Sequence, residues 1–192
     1  MSEHPTDAVV ERFHPTNGRI TGFLGVGVGV VVLALALFGR STGRPLGVAI
    51  VALLGILLVW VVMLRPALWA TERHLVLRGM YDTVTIPLAS IDRVTVSQVT
   101  AISAGQKRYV SPVIGFSARQ TIKQRHPRSG APVATALDTY QLFVEQRITQ
   151  LAREARERYG ADGSPVVRTP AYPEIAGTAA LVVAFLVWLL VF

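Results

Sequence analysis

The 192-residue chain contains no cysteine. Disulfide staples, thiolate metal sites, iron–sulfur clusters and cysteine nucleophiles are therefore excluded. Charge is scarce as well. Only 16% of residues are charged, where soluble domains carry about 25%. Carboxylates are the scarcer sign, with 12 Asp and Glu against 19 Lys and Arg. The four histidines, His4, His14, His74 and His126, form no pair at helical metal spacing. They read as ordinary surface histidines, and no metal site is expected. There is no Gly-x-Ser-x-Gly elbow. Nothing in the chain brings a nucleophile, a base and an orienting group together. A non-enzymatic protein without a cofactor is the expectation.

What the chain has in excess is apolar length. Hydrophobic residues make up 51% of it, and the mean hydropathy is +0.44. They are concentrated in three runs, residues 20–38, 46–64 and 174–192, each long enough to cross a hydrocarbon core of roughly 30 Å. Residues 1–19 are polar, with Pro5, Pro15, Asn17 and Gly18, and read as a mobile tail. Ala34-Leu35-Ala36 imitates a small-x-small cleavage site. The acidic balance of the tail and the full spanning length of the run argue against a cleaved signal. Residues 39–45 allow only a tight turn, so the first two runs form an antiparallel hairpin.

Orientation follows from the cations near the run ends. The hairpin loop holds Arg40 and Arg44. The other side holds Arg12, Arg19, Arg65, Arg73 and Arg78, with Arg168 before the third run. The N-terminus and residues 65–173 are thus expected on the cytoplasmic side of the plasma (inner) membrane, in a multi-pass protein. Trp60, Trp69 and Tyr172 fall near the same interface. Glu174 begins the third run, and inside their ends the three runs embed no charge, so they offer no ion or substrate path.

Gly22, Gly25 and Gly29 lie in the first run, and Gly25 and Gly29 are one helical turn apart. Small residues at that spacing let helices approach closely. A phosphate-cradling loop would follow a strand in a soluble unit, a context missing here. These glycines are read as helix-packing residues and as a route to a homo-oligomer through the first run.

From residue 65 the period changes. Leu68–Thr71, His74–Arg78, Asp82–Ile86 and Ile91–Val99 read as short strands, the last with its alternation broken at Arg93. Ala101–Ser103 and Lys107–Ser111 flank Gly105 as a hairpin. Residues 112–137 read as a long loop, with one short strand at 113–116. A helix then runs from Asp138 to Gly160, with Asp138 and Gln141 as a capping box. Its apolar stripe is Tyr140, Phe143, Val144, Ile148, Leu151 and Ala155, which packs on the strands. Residues 161–173 are a linker.

Arg65-Pro66, Glu72-Arg73-His74-Leu75-Val76-Leu77-Arg78-Gly79 and Thr83-Val84-Thr85-Ile86-Pro87-Leu88-Ala89-Ser90-Ile91 resemble bacterial membrane-anchored pleckstrin-homology-like proteins over roughly residues 20–160. That family often places a two-helix hairpin directly before the domain. It often has Trp where Leu88 stands, and the basic insert and third run depart from its simplest pattern. The resemblance implies an α+β membrane protein, with a pleckstrin-homology-like antiparallel barrel or sandwich over residues 65–160, closed by a C-terminal amphipathic helix. It also implies a binding module.

Between Asp92 and Asp138 there is no acidic residue, while Arg93, Lys107, Arg108, Arg119, Lys123, Arg125 and Arg128 all fall there. Beside a membrane, unopposed cations suit anionic lipid headgroups or an acidic protein partner. Lys107, Arg108, Arg119, Lys123, Arg125 and Arg128 are the candidate binding residues. A solvated basic loop is the plainer reading. Tyr109 and Phe116 are the only aromatics in that stretch, too few for nucleic acid. The alternative function is a structural membrane subunit assembling through glycine-faced helices.

Overall fold

The structure is a computed structural model and describes residues 8–15, 18–38, 45–96, 99–114, 136–160 and 164–191. The chain divides into two compact units. A helical unit comprises Gly18–Pro66, Met80–Asp82 and Pro170–Phe192, and a polar unit comprises Met1–Asn17, Ala67–Gly79 and Thr83–Thr169.

Three helices make up the first unit: α1 (Arg19–Phe38), α2 (Pro45–Leu64) and the last helix, Tyr172–Val191. Each has 20 residues, about 30 Å at 1.5 Å per residue, and each is long and apolar enough to cross a membrane. Their outward side chains are the large apolar ones, with Phe23, Leu24 and Leu190 all exposed. Such a surface suits hydrocarbon and not water. Trp60 and Tyr172 are exposed near the ends of their helices. Glycines set the packing. A Cβ on Gly25 would stand 3.2 Å from Val59, and one on Gly29 would stand 2.5 Å from Ile56. Gly22 meets Met63 and Leu64 in the same way. Contacts that rise along α1 while they fall along α2 make the pair antiparallel. On the other side of α2, the Trp188 ring occupies the place where Gly47 lacks a side chain. The end of α2 widens into one π-helical turn, Trp60–Leu64, closed by the Arg65 N–H donating to the Trp60 carbonyl at 2.9 Å.

Two sheets and one amphipathic helix build the polar unit. In chain order the strands are β1 (Val9–Phe13), β2 (Ala67–Thr71), β3 (His74–Arg78), β4 (Asp82–Pro87), β5 (Ile91–Val96), β6 (Thr100–Ala104), β7 (Lys107–Ser111) and β8 (Val167–Pro170). The first sheet has the order β1-β2-β3-β4-β8, the second β5-β6-β7. Ladder pairs such as Leu68 with Leu77 and Ile102 with Tyr109 are antiparallel. Helix α3 (Ala136–Tyr159) lays Val144, Ile148, Leu151, Ala152 and Ala155 into a core with Phe13, Leu68, Leu75, Ile86, Val94 and Ile102. The last helix, Tyr172–Val191, is α4. The chain passes from the first sheet to the second at Pro87–Ser90, where a 3-10 turn follows β4. The Leu88 N–H turns back to the Arg73 carbonyl at 2.8 Å. Gly160 ends α3 with φ +74° and its N–H on the Arg156 carbonyl at 2.9 Å, a left-handed cap that suits glycine.

Several expectations need correction. Among the described residues the two sheets do not join into a closed barrel. Residues 9–13 are not tail but an edge strand: β1 pairs with β2, and Phe13 enters the core opposite Leu68. Residues 167–170, read as linker, form β8 beside β4. Helix α3 begins at Ala136, so Asp138 stands inside it and not at its N-cap. Gln141 is buried, its amide atoms have no partner among the described residues, and it does not serve as the third residue of a capping box. Phe143 leaves the core stripe and is 48% exposed, stacked beside Tyr140 at 6.3 Å. The buried row 144, 148, 151, 155 puts position 143 at its margin. Val113 and Ile114 are buried without forming a strand.

Candidate anion-docking surface

The second sheet carries those basic residues of the acid-free stretch that the structure describes. Its inner face is fixed by Val94, Ile102 and Tyr109, which lie in one ladder row and pack on the core. Successive side chains alternate between faces. The neighbouring row Arg93–Ser103–Arg108 therefore lies on the outer face. A register shift between Ile91 and Arg93 sets this arrangement, because the extra residue, Asp92, leaves the ladder. Its carboxylate accepts the Gly105 N–H at 2.8 Å and lies 3.5 Å from Arg156. Gly105 itself turns the β6–β7 hairpin at φ +58°, a conformation that favours glycine.

Arg93, Lys107 and Arg108 are exposed. Among the described residues their side chains have no ion pair or hydrogen bond. Lys107 pairs with Ala104 and leaves the sheet edge on the opposite side from Arg108. Arg119, Lys123, Arg125 and Arg128 lie outside the described residues. Of the candidate cations, the structure thus places Lys107 and Arg108, and it adds Arg93, across β6 from Arg108 on the same face. The packing glycines Gly22, Gly25 and Gly29 all face α2 within the same chain.

The carboxylates near the core serve the scaffold. Glu145 of α3 accepts the Val96 N–H at 3.1 Å, at the end of β5. Glu11 of β1 accepts from Arg147 at 2.6 Å, a contact that holds the guanidinium above its ordinary pKa. Tyr140 accepts the His14 N–H at 2.8 Å and donates to the His14 carbonyl at 3.3 Å. Burial pushes its phenol above the usual value. Arg156 donates to the carbonyls of Ala89 and Ile91. No group of three or more His, Asp or Glu gathers among the described residues in a way that could hold a metal ion.

Sequence reasoning missed two features of the helical unit. The first is a polar cluster where α2 and α4 meet. Arg65 Nε donates to Glu174 at 2.7 Å, with side chains only 5% and 17% exposed. Arg65 Nη1 also reaches the Asp82 carbonyl at 3.4 Å. The Ala171 N–H donates to the Tyr81 carbonyl at 2.8 Å. Thr178 donates its one hydroxyl proton to the Glu174 carbonyl, so at the 3.2 Å Tyr81–Thr178 contact the phenol must be the donor. The only sequence signal was that Arg65 and Glu174 both border apolar runs on one side of the hairpin. The second feature is an apolar groove of about 430 Å³ among α1, α2 and α4, walled by Phe185 and Trp188 and floored in part by Gly55.

No protein-family model matches the chain, and neither a curated protein nor a solved structure matches it.

Proposed function

We propose that the chain is a membrane-anchored, non-enzymatic binding protein. Its three apolar helices hold it in the plasma (inner) membrane, and its polar unit, a pleckstrin-homology-like module, docks anionic lipid headgroups on the cytoplasmic side. One observation carries the reading: Arg93, Lys107 and Arg108 are exposed and, among the described residues, unpaired, in a stretch without acids. Each cation near an anionic surface contributes about 1 kcal/mol. The two-sheet arrangement with a closing helix supports the pleckstrin-homology-like assignment. The arginines flanking the apolar runs support the orientation.

The test uses the full chain in nanodiscs of neutral lipid, co-floated with phosphatidylglycerol vesicles at about 0.05 M and about 0.5 M salt, a range that crosses physiological screening. Binding at low salt and release at high salt are expected. Equal binding at both salts, or to neutral vesicles, overturns the reading. Topology has its own check in a chain free of cysteine. A cysteine at Ser41 should react with an impermeant thiol reagent in intact cells, and one at Ser129 should not. The reverse pattern inverts the orientation.

The groove on the helical unit favours a second reading, a structural subunit that assembles with other helices. Gly55, on the groove, has nothing within 4 Å of the place a Cβ would take, so an approaching helix meets no obstacle there. The vesicle experiment separates the two, since a purely structural subunit binds no vesicle.

A further inference from the structure

The register of the second sheet gives the headgroup reading a defined site, and the site rests on that reading. Arg93 and Arg108 both stand directly opposite Ser103, one on each side. Neighbouring strands are about 4.8 Å apart, so the two arginine backbones lie about 10 Å apart with a hydroxyl between them. Guanidinium stems are long and flexible enough to fold inward over Ser103. The outward direction of all three side chains is set by the buried row Val94–Ile102–Tyr109 on the other face. None of the three has a side-chain hydrogen bond or ion pair among the described residues. The nearest carboxylate in sequence, Asp92, is engaged by Arg156 and by the Gly105 N–H. Among the described residues no side chain balances this pair of like charges.

We propose that Arg93, Ser103 and Arg108 form a binding site for a phosphate group, and that its source is the phosphodiester of a membrane lipid. Two guanidinium forks and a hydroxyl supply donors from three directions. That suits a tetrahedral oxyanion, which offers several acceptor oxygens at once. The lipid source is argued from the next residue on the same face. Val110, two positions after Arg108, is 55% exposed and puts an apolar side chain next to Arg108 on the same face, as the boundary between headgroup and acyl chain requires. A free phosphate ion would gain nothing from it.

The experiment uses the full chain in neutral-lipid nanodiscs and measures affinity for phosphatidylglycerol vesicles, with inorganic phosphate and polyglutamate as competitors. Arg93→Gln and Arg108→Gln should each weaken binding about fivefold. Arg153→Gln, the same charge change on an exposed α3 position, should leave it within about twofold. Ser103→Ala should weaken competition by inorganic phosphate. Equal losses for all three arginine variants mean diffuse attraction, which overturns the site and leaves the docking reading standing. Polyglutamate competing better than phosphate assigns the surface to an acidic protein and overturns the phosphate site. Phosphate competition at full strength in the Val110→Ser variant, with vesicle affinity also unchanged, overturns the lipid source. No binding of the wild-type chain to anionic vesicles overturns both the site and the docking reading.

Discussion

Gln141 is expected to be a weak point of the polar core, and Gln141→Met should stabilise the protein. The residue is 2% exposed, and among the described residues neither amide atom has a hydrogen-bond partner. A buried polar group left unpaired costs about 1–3 kcal/mol. Methionine keeps the unbranched shape and similar length of glutamine, fills irregular space and carries no such penalty. The expected gain is about 1–3 kcal/mol, which for a chain of this length raises the midpoint by about 2–4 °C per kcal/mol. Gln141→Ala should fall below the Met variant, because it leaves a cavity. The chain has three tryptophans, so Trp60→Phe and Trp188→Phe together leave Trp69 of β2 as a reporter of the polar unit alone. Thermal unfolding of the full chain in detergent then reads the shift. A Met variant that melts below the wild-type background would refute the reasoning, since it would mean that the amide is hydrogen-bonded, for instance to a buried water.

Breaking the Arg65–Glu174 pair from one side should be costly. Arg65→Ala removes the guanidinium from a carboxylate that is 17% exposed, and a loss of up to about 3–5 kcal/mol is expected in detergent denaturation, with partial recovery in the Arg65→Glu/Glu174→Arg swap. Phe143→Ala should change stability by less than about 1 kcal/mol, whereas Ile148→Ala, fully buried, should cost about 2–5 kcal/mol; equal losses in chemical denaturation would mean that Phe143 is covered. Alkaline stability should depend on Tyr140. Burial favours its neutral phenol and raises the folded pKa above 10.0, so its contribution is present below about pH 10 and is lost as pH rises through the folded value. Tyr140→Phe should flatten that part of a pH-stability profile, and an unchanged slope above about pH 10 would rule the phenol out.

The strands that could be read from the sequence are those specified by local alternation. His74–Arg78 and Lys107–Ser111 have the expected ends, because turn residues bound them, and in His74–Arg78 one face is apolar. Val9–Phe13 could not be read that way. It is a strand only because β2, more than fifty residues further on, offers it a ladder. Val167–Pro170 is wholly exposed, so no burial pattern marks it. The apolar stripe of α3 was legible but its centre was not. Positions 140, 143 and 144 share a side of a helical wheel, and only the packed sheets select 144 over 143. For the proposed docking surface, the cations were legible as a count and not as an arrangement. The alternation break at Arg93 was the trace of the irregularity at Asp92. Until that register is known, nothing links Arg93 to Arg108.

The single π-helical turn at Trp60–Leu64 has a consequence for how the chain tolerates insertions and deletions. A π turn holds one residue more than the α-helical count, and each residue of an α-helix advances the azimuth by about 100°. Arg65 is the residue that closes this turn. Deleting any one residue between Trp60 and Leu64 would let α2 relax into a regular helix and shorten it hardly at all. Arg65 would keep nearly its present direction, because the residue removed is the extra one, whereas a deletion elsewhere in α2 would swing it by about 100°, away from Glu174. The widened turn works as a phase setter for α2. It makes this five-residue window the place in the helix where one residue can be lost without turning Arg65 away from its partner.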